Sequence, residues 1–259
     1  MYATNTFERA MINLMRGASI EAPEHCWLAL FMSDPGDEGE DAYEVNYQGY
    51  YRQQIEFSTP AEYDTGLAIE NVNQITFGEA QINVGNITHV GVMTDQNGGE
   101  MLLYGQLDTA LNIQIGVTPI FRPGAVRWIW TGNLGDYYRR GIMNVFRGQD
   151  LSGFNAWIGL CNGDPEGAGA EFSGYNYARI PLSMSEPEQQ PNGTAMSLNR
   201  NEVVSNEATG NWGTLSFVAI YDSETNGNIY AVIPLGTSFV VTTQTSVGFH
   251  VGNLRFSVN

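Results

Sequence analysis

Apolar side chains recur at three- and four-residue spacing in two places. Phe7, Ala10, Met11, Leu14 and Met15 do so between Asn5 and Arg16, and Tyr138, Ile142, Val145 and Phe146 do so after Asp136. That spacing puts each set on one face of a helix. Asn5 is predicted to cap the first helix with Glu8 as its capping-box partner, and Asp136 to cap the second. Gly17 and Gly148 suit the closing turns because glycine tolerates a positive φ. Each helix spans about three turns, too short to persist alone, so each must lie against a sheet. Elsewhere the pattern is that of strands: 25–32, 51–57, 72–77, 87–93, 101–107, 113–121 and 126–130 in the first half. In the second half, 156–162 repeats the first of these, and Leu215, Phe217, Ala219 and Tyr221 alternate with Ser216, Val218, Ile220 and Asp222. Asn97-Gly98 and Asn226-Gly227 mark hairpin loops, and Pro35 and Pro165 stop the strands before them. Short, evenly spaced strands with one helix at the front predict a mainly β fold, an antiparallel β-sandwich of jelly-roll-like type. A parallel α/β fold needs more crossover helices than the pattern provides.

The strand pattern is written twice. At a constant offset of about 128 residues, Asn73, Glu79, Ala80, Asn83, Gly85, Val90, Gly99 and Leu107 meet Asn201, Glu207, Ala208, Asn211, Gly213, Val218, Gly227 and Leu235. Phe121, Gly124 and Arg127 continue the match with Phe249, Gly252 and Arg255. Upstream, Trp27 and Asp34-Pro35 match Trp157 and Asp164-Pro165, and Tyr51-Arg52 lies in the place of Tyr177-Ala178-Arg179. A run this long is an internal duplication. It predicts two homologous domains, 1–131 and 132–259, joined near Thr131-Gly132-Asn133 and each of ordinary single-domain size.

Charge narrows the partners. The 259-residue chain has a formal net charge of -17 and no lysine, its 11 cationic residues all being arginine. Such a surface is repelled by nucleic acid and by anionic membranes. Cys26 and Cys161 fall at non-equivalent positions of the two copies, which predicts two buried thiols and a reducing compartment. With no signal-like segment at the start and no apolar run of about 18 residues, a soluble chain made in a cytoplasm is expected.

No catalytic constellation emerges. His25, His89 and His250 lack ligand spacing, and no Cys-x-x-Cys is present. The acidic loop 34–44 lacks the spacing of a calcium loop. Nothing among the 28 carboxylates selects a glycosidase pair; Glu79 and Glu207 are expected at loop junctions. There is no nucleophile elbow or phosphate-binding motif. The expectation is a non-enzyme without metal or cofactor. Arg52/Arg179 and Arg127/Arg255 are expected to form salt bridges within the fold. Tyr43, Tyr47, Tyr50, Tyr51 and Tyr63, with Arg139 and Arg140, are candidate interface residues, since tyrosine offers large contact area with a polar tip.

A short helix, then Trp-Leu-Ala-Leu-Phe-x-Ser-Asp-Pro-Gly, Gly-Tyr-Tyr-Arg-Gln, Asn-x-Gly-x-Ile-Thr-His-Val-Gly-Val and a Tyr-Gly-x-Leu strand resemble small β-rich virion proteins of tailed bacteriophages, of the head-decoration and tail-fibre-like kind. The resemblance covers most of the first copy and, more weakly, the second, where Ala219 replaces Gly91 and Phe217 replaces His89. It implies a structural virion protein. The first expectation is a capsid decoration (cement) protein on the outer capsid surface, clamping copies of the major capsid protein and assembling with copies of itself. The alternative is a tail fibre or baseplate receptor-binding protein that joins other tail proteins and touches host surface glycans through the loop tyrosines and Trp130 or Trp212.

Overall fold

A computed structural model describes residues 1–39, 43–64, 66–132 and 134–258. The first copy runs β1 (Tyr2–Ala3), α1 (Asn5–Leu14), β2 (Cys26–Phe31), β3 (Gln53–Ile55), β4 (Ala61–Tyr63), β5 (Gly66–Glu70), β6 (Ile75–Thr76), β7 (Gly85–Met93), β8 (Met101–Ile113), β9 (Ile120–Phe121) and β10 (Arg127–Trp130). The second runs α2 (Asp136–Val145), β11 (Trp157–Cys161), β12 (Ile180–Pro181), β13 (Glu188–Gln189), β14 (Ala195–Leu198), β15 (Val203–Val204), β16 (Gly213–Tyr221), β17 (Ile229–Val241), β18 (Gly248–Phe249) and β19 (Arg255–Val258). Among the described residues no helix is long and apolar enough to cross a membrane.

Both copies build the same three antiparallel sheets. The large ones have the orders β1-β8-β7-β2-β3 and β12-β11-β16-β17, the small ones β10-β5-β4 and β13-β14-β19, and the two-stranded ones β6-β9 and β15-β18. Register repeats as well: Leu28 faces Val92 as Ile158 faces Ile220. A register shift falls between Ile87 and His89 in β7 and again between Leu215 and Phe217 in β16. The chain is mainly β and built from two tandem homologous units, as the periodicity predicts.

Some expectations change. No strand runs from 113 to 121. β8 extends to Ile113, the chain turns at Gly116, and only Ile120–Phe121 pair, with Ile75–Thr76. β5 carries no strand pattern in the sequence because Gly66, Leu67, Ala68 and Ile69 are all buried, and a strand covered on both faces shows no alternation. The caps also differ. Thr4 is the N-cap of α1 and Gly135 that of α2, neither with a side-chain cap bond. Loops cover the exposed N–H groups instead. Asn5 N–H donates to Asp37 O at 2.8 Å, and Asp136 N–H donates to Glu166 Oε1 at 2.8 Å. Asn5 Nδ2 donates to Glu38 Oε1 at 2.6 Å. Asp136 pairs with Arg139 and Arg140 one turn on. Gly17 and Gly148 do close the helices, at φ +89° and +79°.

Each helix serves both copies. α1 lies on β8 of its own copy and on β14 and β19 of the other; α2 lies on β17 and on β5. Phe7, Met11, Ile12, Leu14 and Met15 are all buried, contributing about 1.5–3 kcal/mol apiece. Phe146 meets Phe7 at 5.3 Å, Trp128 at 5.3 Å and Phe57 at 5.8 Å, ring centre to ring centre. The Tyr230 hydroxyl donates to Met11 O at 2.7 Å in full burial. After the helices the two copies pair directly. Ile20 and Leu151 exchange N–H···O bonds of 2.8 and 2.9 Å. Ile20 and Leu151 hold the same place in the repeat, so this pair marks a pseudo-twofold axis. Gly153 passes so close that a Cβ would sit 2.4 Å from Gly17 C. One apolar cluster runs through both copies.

Candidate functional site

The matched arginines end in matched locks. Arg52 forks onto Glu44, with Nε–Oε1 at 2.9 Å and Nη2–Oε2 at 2.6 Å. Its Nη1 donates to Asp95 O at 3.0 Å and to Gly98 O. Arg179 forks onto Glu171 at 2.9 and 2.8 Å and donates to Ser223 O and Asn226 O at 2.7 and 2.5 Å. Each lock therefore pins a hairpin loop, β7–β8 or β16–β17, to the loop after the first strand. A phenol completes each. Tyr50 Oη donates to Glu44 at 2.8 Å and accepts Leu30 N–H at 3.1 Å; Tyr177 Oη donates to Glu171 at 2.7 Å and accepts Leu160 N–H at 2.9 Å. Tyr50, not Tyr51, is thus the counterpart of Tyr177. Burial pushes both phenols far above their ordinary pKa, and the neighbouring carboxylate adds to it. In the second lock a ring lies under the cation: Arg179 Cζ is 3.3 Å from the centre of Tyr221. These buried, saturated ion pairs hold loops in place.

The candidate interface residues fall into three groups. Tyr47 is buried and donates to Gly78 O at 2.9 Å, and Tyr50 stacks on Phe77; both face inward. Tyr43, Tyr51 and Tyr63 are exposed, Tyr63 lying 4.4 Å below the Arg127 guanidinium. Arg140 ties the second copy to the first, with Nη1 to Pro60 O at 3.1 Å and Nη2 to Glu62 at 2.6 Å, while Arg139 sits 3.5 Å from Asp136. Trp130 and Trp212 are buried, and Trp212 Nε1 donates to Tyr175 O at 3.0 Å. Neither indole is open to a glycan, because both fill the core. Arg127 pairs with Glu70 at 2.6 Å; Arg255 has no carboxylate counterpart among the described residues, because Leu198 stands opposite where the first copy has Glu70.

Glu40 and Asp41 of the acidic loop lie outside the described residues. Of its others, Asp37 accepts from Tyr104 Oη, Glu38 from Asn5, and Glu44 holds Arg52. Among the described residues no cluster of His, Cys, Asp and Glu is arranged to hold a metal ion. Burial pushes the Cys26 and Cys161 thiols up to about 12, so neither is a ready nucleophile. The repeat also relates a pair of buried asparagines. Asn71 accepts Val126 N–H and donates to Asn73 O and Arg122 O; Asn199 accepts Leu254 N–H and donates to Asn201 O and His250 O. Both are buried, and the offset of about 128 residues relates them.

Two cavities flank the pseudo-twofold axis. One of about 660 Å³ opens where α1 ends against the second copy, lined among others by Arg16, Asn155, Trp157, Pro181, Ser183 and Arg200. Its counterpart, of about 270 Å³, lies where α2 ends against the first copy, with Glu24, His25, Gln54, Glu56 and Arg147 in its wall. Arg16 and Arg147 are equivalent and are steadied alike, each donating from Nη1 to an asparagine three residues earlier, Asn13 and Asn144. The larger cavity is lined by two arginines and one glutamate, the smaller by one arginine and two glutamates.

A search of curated proteins finds no match. The family model of the podophage GP4 fiber I protein gp80 matches the chain twice, over residues 2–128 and over 133–257. Between them the matches span nearly all of both copies, and the chain belongs to this phage fibre protein family, whose module it carries in duplicate.

Proposed function

We propose that this chain is a fibre component of a podophage tail that meets the host surface through saccharide contacts and performs no covalent chemistry. The double family match over both copies carries this reading. The fold is consistent with it: buried arginine locks and helices shared between copies make a rigid body, and the lysine-free acidic chain is kept off phage and host nucleic acid. In the duplicated body the two modules face opposite ways about one axis, so one chain offers two related surfaces, and joined sites raise avidity. The fibre reading displaces capsid decoration as first choice, because the family match names a fibre protein.

A cryo-EM map of the intact particle, with this chain traced, tests the reading. Density in the tail or its fibres is the expected result. Density on the outer capsid, between major capsid subunits, overturns the fibre role and supports decoration instead.

A further inference from the structure

The cavity of about 660 Å³ has the size of a ligand pocket and is lined by two arginines, Arg16 and Arg200, and one carboxylate, Glu202. Arg200 is exposed, and among the described residues its guanidinium has no carboxylate partner and makes no hydrogen bond. Its backbone is fixed, its N–H donating to Ser183 O at 2.8 Å. Arg16 Nε donates to the next carbonyl, Met184 O, at 3.4 Å. The backbone of Arg200 and the side chain of Arg16 therefore bond to neighbouring carbonyls of one wall. In a chain of net charge -17, a cleft lined by two arginines, one neutralised by Glu186 and one unpaired, keeps a cation that draws in an anion.

The pairing of Arg16 shows which anion. Its two terminal nitrogens fork onto the carboxylate of Glu186, Nη1–Oε2 at 2.8 Å and Nη2 on Oε1, and that glutamate side chain is 78% exposed. A carboxylate arriving from solution can take its place, since Glu186 returns to water without leaving a buried charge. A guanidinium fork matches a planar carboxylate in two parallel bonds. The remaining wall suits a sugar ring. Trp157 and Pro181 supply apolar surface, and the exposed side-chain amides of Asn155 and Asn201, bonded to nothing among the described residues, face hydroxyl chemistry. Glu202 also lines the cavity and is held 3.2 Å from His250 Nδ1.

We propose that this cavity binds an acidic saccharide, a sugar carrying a carboxylate, with Arg200 and Arg16 on the carboxylate and Trp157 against the ring. The site deepens, and biologically rests on, the fibre reading above. The site is not repeated: at the counterpart positions Val72 stands in the place of Arg200 and Glu56 in that of Ser183, with the same N–H···O bond of 2.8 Å between them. A long polyanion does not fit the rest of the acidic surface, so the ligand is a chain end or a single acidic unit.

The test titrates the full-length protein, by calorimetry, with trigalacturonate and sialyllactose, with maltotriose and lactose as neutral counterparts and inorganic phosphate as a simple anion. At least one acidic saccharide is expected to bind about tenfold or more tighter than its neutral counterpart and than phosphate, the loss expected for a bond to a charged group. Arg200→Gln should weaken that binding about tenfold with an unchanged melting temperature, as its side chain supports nothing in the fold. Glu186→Gln should tighten it by freeing Arg16. Failure of both acidic probes, equal binding of neutral saccharide or phosphate, or an Arg200→Gln variant that binds like the parent would overturn the site. A tail location without acidic-saccharide binding removes the site and keeps the fibre role; binding by a chain found on the capsid does the reverse.

Discussion

Glu44 and Glu171 are largely buried carboxylates, each satisfied by one guanidinium and one phenol. Removing the cation leaves the charge without its counter-ion, which costs about 3–5 kcal/mol for a buried pair. Arg52→Ala should therefore lower the urea midpoint by that equivalent, and Arg179→Ala, which breaks the matching pair, by a similar amount. A Glu44→Leu/Arg52→Met double variant should recover most of the loss, and a double variant as unstable as Arg52→Ala alone would show that the lock acts through shape. The locks were half legible. The repeat exposed Arg52 and Arg179 as a pair, and their partnership within the fold follows from an acidic chain that fixes its few cations. It did not reveal which tyrosine belongs. Tyr51 is the chain neighbour of Arg52, but Tyr50 is the one whose hydroxyl reaches Glu44 and Leu30 N–H, and only the backbone geometry decides between them. Asn71 and Asn199 carried a readable signal, since the same offset relates them. Their burial is what gives it meaning: six hydrogen bonds to backbone in two identical sets.

At the scale of elements, spacing found the helices and their faces, whereas their destinations lay in the other half of the chain. Glu8 shows why. Placed three residues after Asn5, it reads as a capping-box acid, yet its carboxylate crosses to β14 and accepts Ala195 N–H at 2.9 Å, with Gln189 Nε2 at 3.5 Å. Burial raises its pKa from 4.5 to about 7, the nearby Asp37 charge adds to the rise, and the bonds from Ala195 and Gln189 oppose it. The sign follows from linkage. The folded state holds the proton more tightly than the unfolded one, so this carboxyl disfavours the fold fully above about pH 7 and progressively less as pH falls toward 4.5. The melting temperature should thus gain from Glu8 between pH 8 and about 5. Glu8→Gln keeps an acceptor for Ala195 N–H and loses the charge. It should melt higher than the parent at pH 8 and converge with it near pH 5. Parallel pH profiles for the two proteins would show that Glu8 is solvated when α1 docks.

For the whole molecule, duplication is what the sequence displays, and exchange is what the fold adds. Strand alternation and the offset of about 128 residues lead to two units at 1–131 and 132–259, the division we propose for the repeat. Pairing of Ile20 with Leu151 and the crossing of both helices left no trace in the pattern, because an amphipathic face specifies burial but not against which copy. The consequence is thermodynamic. Chains of this length with two units often unfold in steps. Here the cluster around Phe7, Trp128, Phe146 and Tyr230 draws on both copies, so neither unit keeps its core when the other opens. Calorimetry should show one transition with equal calorimetric and van't Hoff enthalpies. Residues 1–131 alone would expose the apolar face of α1 and lose Phe146 from between Phe57 and Trp128, and should lack a cooperative transition until 132–259 is added. Two separable transitions in the full chain, or a 132–259 fragment that melts where the full chain does, would mean that the helices merely rest on the opposite copy.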